Sequence, residues 1–489
     1  MIRKYRLFLL VFVLVLSFSF FYKDALNAIS KQNNVVSSDS SEFSQAILSR
    51  QTLYYIAHNY YDPARINPRQ MLKAGLMAIA RGAPEILVDF PEGANQLSVF
   101  VEKEEQKIKV PNFSKNVDLG EMVPILQQTY SFIEKHYKGD TELSDIERLA
   151  LNGMLESLDP HSSLLSPKVF KEFRTQTEGE FGGLGIVIGL KEGDLTVISP
   201  LEGTPAWKAG IKSKDKILKI NTEATINMNL NDAVEKMRGK VGTQVTLLIA
   251  REGVTDPFEI TLTRAKIVID SIQSKLISQP EGDVGYVKVK SFQEDTYREL
   301  VKNLDKLKSQ SKNFKGLILD FRNNPGGLLS QAIQVSDLFL SSGVIVATAG
   351  AGDKVRETEE AKGPGTESNY PIMVLVNDSS ASASEIVAAA LKNNNRGVVL
   401  GQQTFGKGSV QSVYSLKDGS ALKLTIAQYL TPGNESIQSV GITPDIQLVA
   451  ATVTPNNTRI LEGEGFREKD LEKHLESSLN QMKKPVYTL

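Results

Sequence analysis

The sequence predicts an α+β protein of several domains, in which a helical N-terminal region precedes a mostly β domain and then an α/β domain. At 489 residues the chain is long enough for about three domains. Apolar residues recur at helical spacing in the first third of the chain, whereas short β-type runs bounded by glycines fill residues 179–264. After residue 284, strands and helices alternate, which indicates α/β layers.

Composition limits the chemistry that these domains can use. The 56 Lys and Arg residues balance 57 Asp and Glu residues, so the net charge of −1 creates no field that would attract nucleic acid. The chain has no cysteine, which excludes a thiol nucleophile, disulfides and thiolate metal sites. Its histidines are His58, His136, His161 and His474. Catalysis between residues 162 and 473 therefore needs a base other than imidazole, and the sequence implies no metal or organic cofactor.

The first element is an apolar run, Leu7–Phe21, that follows basic residues at the N-terminus. It is shorter than the roughly 20 residues of a membrane span but fits the hydrophobic part of a signal segment. The basic residues ahead of it place the rest of the chain across the membrane, which predicts an exported, periplasmic protein. Residues 1–27 are either a cleaved signal peptide or an inner-membrane anchor, because Leu26-Asn27-Ala28 has a poor residue at the −3 position of a cleavage site.

Helices with apolar stripes come next. They are predicted in two pairs, over residues 46–61 and 68–81 and over residues 119–137 and 143–158. The first pair indicates a helical extension over residues 28–116, which serves either as a packing element or as a surface for homo-oligomer formation or partner docking. The second pair belongs to a segment, residues 117–178, that we expect to pack on the α/β domain.

The mostly β domain covers residues 179–265. Its predicted strands are Leu184–Leu190, Leu195–Ile198, Ile217–Ile220, Val245–Ala250 and Phe258–Leu262. The first strand opens with Gly183-Leu184-Gly185-Ile186, and such a glycine-rich turn points backbone N–H groups into a concavity that suits a carboxylate. A helix over Leu230–Arg238 carries Ala233, Val234 and Met237 on one face, which lines an apolar pocket in this interpretation. The alternative is a plain glycine turn beside a core helix.

The order of these elements resembles that of a bacterial PDZ domain. The resemblance rests on the glycine turn, the first strand, Ser199–Ala206, Ala209-Gly210-Ile211, Asp215-Lys216-Ile217 and the helix. It implies protein or peptide substrates with free C-termini, bound as an added strand along the first strand. Lys214 departs from the pattern, because many such domains have glycine at this position.

The α/β domain, residues 266–450, contains two segments that suggest catalysis. Ser379-Ser380-Ala381-Ser382-Ala383-Ser384-Glu385 follows the predicted strand Ile372–Val376 and opens a helix. Small residues at such a junction let a hydroxyl and backbone N–H groups face a substrate, and a helix N-terminus favours negative charge. A serine-rich helix cap is the alternative. Lys407, in Thr404–Gln411, lies 25 residues past Ser382. The residues around this lysine do not match the phosphate-loop pattern, so a phosphate-binding loop is excluded there.

Five motifs in this order resemble those of the C-terminal processing peptidases, also called tail-specific proteases. The motifs are Leu158–Ser163, Leu319–Gly327, Ser380–Glu385, Thr404–Gln411 and Gly441–Asp445. The resemblance covers residues 117–449 and implies a crotonase/Clp-protease-like α/β catalytic domain. It also implies a Ser/Lys serine peptidase, in which Ser382 is the nucleophile, Lys407 is the general base and Gln411 orients the lysine.

By the same resemblance, the N–H groups of Gly327 and Ala383 bind the oxyanion. A lysine that acts as a base must be neutral, so the pKa of Lys407 has to fall from about 10.4 through burial. The absence of cysteine and of nearby histidine in the sequence agrees with an amine as the base.

Together these features predict a serine endopeptidase that recognises protein C-termini through its PDZ domain and cleaves through an acyl-enzyme. One alternative is a non-catalytic PDZ adaptor on a peptidase scaffold, against which the intact Ser382, Lys407 and Gln411 argue. An acyl-CoA enzyme on the crotonase-like fold would need a nucleotide-pocket signature, which the sequence lacks. A Ser/His scheme with His161 is disfavoured, since its motif is expected to join the helical segment to the catalytic domain. Residues 451–489 form a charged C-terminal tail, which is predicted to be helical at most after Pro455.

Overall fold

A computed structural model describes residues 41–113, 118–191, 193–350, 355–449, 451–454, 457–460, 465–476 and 485–488. The predicted signal segment, residues 1–27, lies outside the described residues. No helix within the described ranges is both long and apolar enough to cross a membrane. The chain divides into two compact units, one that ends at Ala57 and resumes over Pro68–Met154, and one made of His58–Asn67 and Leu155–Leu489.

The first unit combines helices with a small antiparallel sheet. Its elements are α1 (Ile47–Asn59), α2 (Pro68–Gly82), β1 (Ile86–Asp89), β2 (Gln96–Val101), β3 (Glu104–Lys109), α3 (Val123–His136) and α4 (Leu143–Glu156). Helices α2 and α4 approach closely because glycines lie where they meet. A methyl group on Gly75 would lie 2.7 Å from the Ala150 carbonyl oxygen, and one on Gly153 would lie 2.6 Å from the Ala74 carbonyl oxygen. This packing places the chain up to Met154 in the first unit, so the predicted single segment over residues 117–178 is divided there.

The prediction of a helical extension over residues 28–116 is wrong for the part that forms the sheet in the order β1-β2-β3. Along β2, the buried residues Leu97, Val99 and Val101 alternate with more exposed ones. A period of two is typical of a strand that is buried on one face. A prediction that continues the helical pattern past α2 overlooks this alternation.

The second unit continues with β4 (Ser163–Leu165), α5 (Pro167–Glu178) and β5 (Glu180–Gly183), which lead into the middle domain. The domain itself contains β6 (Ile186–Lys191), β7 (Asp194–Pro200), α6 (Pro205–Lys208), β8 (Lys216–Ile220), β9 (Glu223–Ala224), α7 (Leu230–Met237), β10 (Gln244–Ala250) and β11 (Phe258–Thr263). Its sheet has the order β11-β10-β8-β7-β6, so β6 is an edge strand of this sheet. Strand β12 (Ala265–Val268) pairs with β5 and joins the two ends of the domain.

Lys214, the departure noted in the sequence, adopts the left-handed backbone conformation with φ of 72°. Its N–H donates to the Val197 carbonyl oxygen at 2.8 Å, which closes the turn before β8. Glycine occupies such a conformation without strain, whereas a lysine does not. The backbone turn typical of glycine therefore forms here with lysine, at a cost in backbone strain.

The α/β domain follows with alternating strands and helices. These are β13 (Ile272–Ile277), β14 (Asp283–Val289), α8 (Thr296–Gln310), β15 (Phe314–Asp320), α9 (Leu329–Asp337), β16 (Val344–Ala349), β17 (Val355–Glu360), β18 (Ile372–Val376), α10 (Ala383–Asn393), β19 (Val398–Gly401), β20 (Ser409–Ser415), β21 (Ala421–Thr431), β22 (Glu435–Ser436) and β23 (Ile446–Gln447). Strands β14, β15, β18, β19 and β23 pair in parallel, so their carboxyl ends meet at one edge. Helix α10 is buried along its length, and β20 and β21 belong to a second sheet.

The expectation that the C-terminal tail, residues 451–489, is helical at most after Pro455 is wrong. Its described parts form the hairpin β24 (Ala451–Thr454) and β25 (Asn457–Ile460), and then β26 (Tyr487–Thr488), which extends the parallel sheet beside β23. Between them, Leu475 is buried and Glu468 is fully buried. A charged side chain is rarely buried without partners, so this part of the tail is held by the rest of the second unit.

Candidate active site

The predicted nucleophile, Ser382, lies at the tip of the turn that joins β18 to α10. Its backbone has φ of 54° and ψ of −113°, which is unusual for a residue with a side chain and costs about 1–3 kcal/mol. Hydrogen bonds from neighbouring residues hold the turn: the Ser380 hydroxyl donates to the Phe321 carbonyl oxygen at 2.8 Å. The Ala381 N–H and the Ser384 hydroxyl both donate to the Asn324 carbonyl oxygen, at 3.0 Å each. The strain is therefore fixed by the surrounding structure, as at nucleophile turns of other hydrolases.

Asn324, which accepts these two hydrogen bonds, begins the glycine turn after β15. Its side-chain amide accepts from the Gly326 N–H at 2.9 Å and donates to the Val289 carbonyl oxygen at 2.8 Å. A methyl group on Gly326 would lie 2.9 Å from Cβ of Ser382. At Gly327, where φ is 146°, a methyl group would overlap the Phe292 carbonyl group. Glycine is required at both positions, at Gly326 for the approach to the serine and at Gly327 for the approach to the Phe292 backbone.

The backbone N–H of Ala383 borders this contact, and the N–H of Gly327 follows Gly326 in the glycine turn. The position of a methyl group on Gly326 would be 3.0 Å from the Ala383 nitrogen. Among the hydrogen bonds of the described residues, neither the Gly327 N–H nor the Ala383 N–H has an acceptor. Two backbone donors without an acceptor in the described structure, one on each of the segments that meet at Ser382, suit a developing oxyanion.

Behind the glycine turn, the buried Asp320 pairs with Arg322. Two nitrogens of Arg322 donate to the two carboxylate oxygens at 2.9 and 2.7 Å, and the Tyr286 hydroxyl donates at 2.7 Å. Burial would raise the pKa of Asp320, but these hydrogen bonds hold it below its usual range. The carboxylate therefore stays charged and supports the turn.

The predicted base, Lys407, lies in the loop that precedes β20. Burial, together with the charge of Lys423, lowers the pKa of Lys407 to about 8, although the carboxylates of Glu468, Asp159 and Glu385 act in the opposite direction. No hydrogen bond of the Lys407 amine occurs within the described part of the chain. The lysine is thus partly neutral near physiological pH, which a general base requires.

Glu385 connects the serine and the lysine, and the sequence analysis gave it no role. Its fully buried carboxylate accepts from the Ser382 N–H at 2.7 Å. The same carboxylate accepts from the N–H groups of Gly406 and Lys407 at 2.7 and 3.0 Å, and from the Thr404 hydroxyl at 2.6 Å. Burial raises the pKa of Glu385 to about 7, against the effect of these hydrogen bonds. One side chain thus joins the start of α10 to the lysine loop.

A local signal for Glu385 is present in the sequence. Ser382 and Glu385 stand three residues apart at a helix start, which is the spacing of a capping box. The Gly441–Asp445 motif contacts the lysine loop, because the Ile442 N–H donates to the Thr404 hydroxyl oxygen at 2.6 Å. That motif therefore supports the lysine loop at Thr404.

Gln411, predicted to orient the lysine, is not hydrogen-bonded to the Lys407 amine in the described structure. Its side-chain amide nitrogen donates to the Ser409 hydroxyl oxygen at 2.9 Å and to the Thr425 hydroxyl oxygen at 3.4 Å. The Thr425 hydroxyl in turn donates to the buried carboxylate of Asp159 at 3.0 Å. Gln411 thus belongs to the polar network of the Leu158–Ser163 motif.

His161, in the same motif, pairs with the C-terminal tail. Its Nε2 atom lies 2.8 Å from each carboxylate oxygen of Glu468. No hydrogen bond between His161 and Ser382 exists among the described residues, so the geometry gives no support to a Ser/His arrangement.

In the middle domain, the residues predicted to bind a peptide do not all lie together. Gly185 has φ of 75° and lies against the Thr204 side chain, so the turn before the edge strand β6 needs glycine there. Leu184 and Met237 pack into the domain core, which Ile186 borders. Val234 instead lines a cavity of about 570 Å³ between α5, β5 and α7.

Comparison with known proteins agrees with both parts of this description. Residues 283–448 match the model of peptidase family S41, and residues 196–251 match a PDZ domain. A carboxy-terminal-processing protease of Bartonella bacilliformis is 45% identical over 299 residues, covering 61% of this chain and 68% of that protein. The chain belongs to the carboxy-terminal-processing protease family. The CtpA protease of Bacillus subtilis is 37% identical over 323 residues, covering 66% of this chain and 68% of that protein.

Among solved structures, a photosystem II D1 C-terminal processing protease matches with a TM-score of 0.44 and 26% identity, covering 84% of this chain and 93% of that one. The two family-model matches and the Bartonella relative confirm the predicted family, the mixed α/β fold with a PDZ domain and the serine-type peptidase. The roles of single residues at its site remain predictions.

Proposed function

We propose that this protein is an exported endopeptidase that recognises the C-terminal end of its substrate through the PDZ domain and cleaves a peptide bond upstream. The observation that carries the proposal is the junction at Glu385. It ties the strained Ser382 to the loop of Lys407, a lysine whose pKa is lowered to about 8. A nucleophile and a base brought together in this way suit acyl transfer.

The reaction begins when Ser382 Oγ attacks the carbonyl carbon of the scissile bond and Lys407 accepts the hydroxyl proton. The oxyanion lies against the N–H groups of Gly327 and Ala383, and loss of one such donor typically costs about 2.7–4 kcal/mol of transition-state stabilisation. Lys407 then transfers the proton to the leaving amine. Water attacks the acyl-enzyme, with Lys407 again accepting a proton, and the serine is regenerated.

Substrate recognition is assigned to the PDZ domain. Strand β6 is an edge strand, so the C-terminal segment of a substrate can add to the sheet through main-chain hydrogen bonds. The turn Gly183–Ile186 would receive the terminal carboxylate, and Val234 would contact an apolar side chain of the substrate. The near-zero net charge of the protease fits selection by chain ends and apolar groups rather than by a charged field.

Hydrolysis of an unstructured protein with an apolar C-terminus tests the chemistry. We expect Ser382→Ala and Lys407→Ala to reduce turnover to background, whereas wild-type turnover in both variants would contradict the mechanism. A fluorophosphonate probe, which labels activated serines, should modify Ser382 and no other residue, as read by peptide mass mapping. Binding of C-terminal peptides without any hydrolysis by the wild type would favour the non-catalytic adaptor.

Export is proposed from the run Leu7–Phe21 behind basic residues. A fusion of residues 1–45 to alkaline phosphatase, which is active only outside the cytoplasm, should be active. The matched fusion with Leu10 and Leu14 replaced by Arg should be inactive. N-terminal sequencing of the mature protein distinguishes a cleaved signal peptide from an anchor. Equal phosphatase activity of both fusions would contradict export through this segment.

A further inference from the structure

The C-terminal segment Gly465–Glu476 approaches the lysine loop, although its sequence is charged. Glu468 is fully buried there. Its carboxylate receives hydrogen bonds from His161 at 2.8 Å and from the Gln438 side-chain amide at 2.9 Å. A buried carboxylate costs several kcal/mol unless it is paired and hydrogen-bonded, so this arrangement is a specific contact and not a loose tail.

The contact reaches the chain on both sides of the lysine, at Phe405 and at Gly408. On one side, the Glu468 N–H donates to the carbonyl oxygen of Phe405 at 3.1 Å. On the other side, the Gly408 N–H donates to the side-chain oxygen of Gln438 at 2.9 Å, and Gln438 is the residue that holds the Glu468 carboxylate. The loop that carries Lys407 is therefore attached to the C-terminal segment before and after the lysine.

The far end of the segment is attached to the same turn. The Gln438 amide nitrogen also donates to the Leu475 carbonyl oxygen at 3.0 Å, and the Ser439 hydroxyl donates to that oxygen at 2.9 Å. Arg65 donates to the carbonyl oxygens of Lys473 and His474 at 2.8 Å each. With Leu475 buried, these bonds give the segment several anchors that are independent of Glu468.

The charges around the lysine amine also involve this segment. The groups that act on Lys407 are the ammonium of Lys423 and the carboxylates of Glu468, Asp159 and Glu385. Among the carboxylates, Glu468 has the largest effect, and its negative charge favours the protonated amine. Asp159 and Glu385 belong to motifs of the family resemblance, whereas Glu468 lies in the C-terminal tail.

We infer that the C-terminal segment Gly465–Glu476 is part of the active site, and that Glu468 is a positioning residue that holds the Lys407 loop against α10. The inference rests on the proposed roles of Ser382 and Lys407. Glu468 does not touch the substrate in this scheme. It acts through Phe405 and Gln438 on the position of the lysine, and through its charge on the protonation of the amine.

The test compares Glu468→Gln and Glu468→Ala with Glu472→Gln, which changes an exposed carboxylate of the same segment. Hydrolysis of a protein substrate with an apolar C-terminus is measured from pH 6 to pH 10. We expect kcat to fall about 10- to 100-fold in Glu468→Ala, because a displaced catalytic group can cost about 100-fold. KM should stay within about twofold, since the inferred role is in positioning and not in substrate binding. Glu472→Gln should match the wild type.

The pH profile separates positioning from simple stabilisation of the fold. Removing the negative charge near Lys407 makes the neutral amine more favourable, so its pKa falls. The acid limb of kcat/KM should therefore move to lower pH in Glu468→Gln relative to the wild type. A loss of activity that tracks only a lower melting temperature, with the limb unmoved, would overturn the inference.

Labelling of the serine distinguishes failure of this inference from failure of the proposed function. If the fluorophosphonate does not label Ser382 in the wild type, the proposed function fails. If the wild type is labelled and both Glu468 variants react at the wild-type rate at every pH, the inference alone fails. Should Glu468→Ala not fold, the nearly isosteric Glu468→Gln carries the test through its labelling rate and its pH limb.

Discussion

The two sides of the active site are held by different physical means. The nucleophile side, from Asn324 to Gly327 with Ser382, depends on backbone strain and on glycines that let main chains touch. The lysine side, the loop Thr404–Gly408, is held by the buried carboxylate of Glu385 and, through Gln438, by that of Glu468. We therefore expect the nucleophile side to respond to changes in volume, and the lysine side to respond to changes in charge and pH.

The largest effect should come from Lys407→Met, which removes the charge and keeps an apolar stem. Loss of a general base lowers the rate on the order of 10²–10⁴-fold, so hydrolysis should be close to background. The same variant should be more stable than the wild type at neutral pH, because a charged lysine in this site is costly. Activity and stability are measured on the same preparations, by peptide hydrolysis and by urea unfolding.

The sign of the stability change follows from the two pKa values of the lysine. The folded pKa is about 8, below the unfolded value, so the wild type must keep an unfavourable buried charge at pH below 8. The gain in Lys407→Met should then be on the order of 3 kcal/mol below pH 8 and should vanish as pH rises above about 10.4. Lys417→Met, at an exposed position in the turn after β20, should show no such dependence. A gain that is equal at pH 6 and pH 10.5 would argue against charge as the cause.

On the nucleophile side, Gly326→Ala should lower kcat by about 100-fold or more, because the added methyl group displaces Ser382 and its turn. The methyl group would lie 2.7 Å from the Ala381 carbonyl oxygen, and φ of 99° is strained for alanine. Gly433→Ala is the matched control, since φ there is 93° but the nearest side-chain atom is 3.9 Å away. Serine labelling should slow in the first variant only. Equal labelling rates in both variants would show that strain alone, and not contact with the serine, matters.

Glu385→Gln tests the link between the two sides. The glutamine has one acceptor oxygen and a donor amide where the carboxylate accepts from Ser382, Gly406, Lys407 and Thr404. At least one buried donor is left without a partner, which costs about 1–3 kcal/mol of stability, and kcat should fall about 10- to 100-fold. Glu252→Gln, in an exposed turn, is the control. Wild-type kcat in Glu385→Gln would contradict the assigned link.

How much the sequence reveals differs between the same two sides. The glycine turn and the serine junction are local patterns, so Gly327, Ser382 and Ala383 could be named from motifs. Glu385 was also within reach, because its spacing from Ser382 is that of a capping box. Likewise, Leu97 and Val99 alternate with the polar residues Gln96 and Ser98 in the sequence, so strand β2 was also within reach.

Glu468 was not within reach of sequence analysis in this way. Its partner His161 lies 307 positions earlier in the chain, and nothing near Glu468 in the sequence indicates burial. Whether a charged residue is buried depends on such distant partners and not on its neighbours. The hydrogen bonds of Gln411 likewise depend on Thr425, the residue opposite it across the β20–β21 pair.

The smallest effect is expected at Lys214, where the backbone is strained in the PDZ domain and not at the active site. Lys214 and Ser382 both have positive φ, at 72° and 54°, but only the serine lies at the site. Lys214→Gly should stabilise the PDZ domain by about 0.5–1 kcal/mol, since relief of left-handed strain exceeds the entropy that glycine loses. Lys212→Gly, exposed and without positive φ, should destabilise it instead. Trp207, the single tryptophan, lies in this domain and reports its unfolding by fluorescence. If Lys214→Gly alters kcat, strain in the PDZ domain would reach the active site, and the separation drawn between structural and catalytic strain would fail.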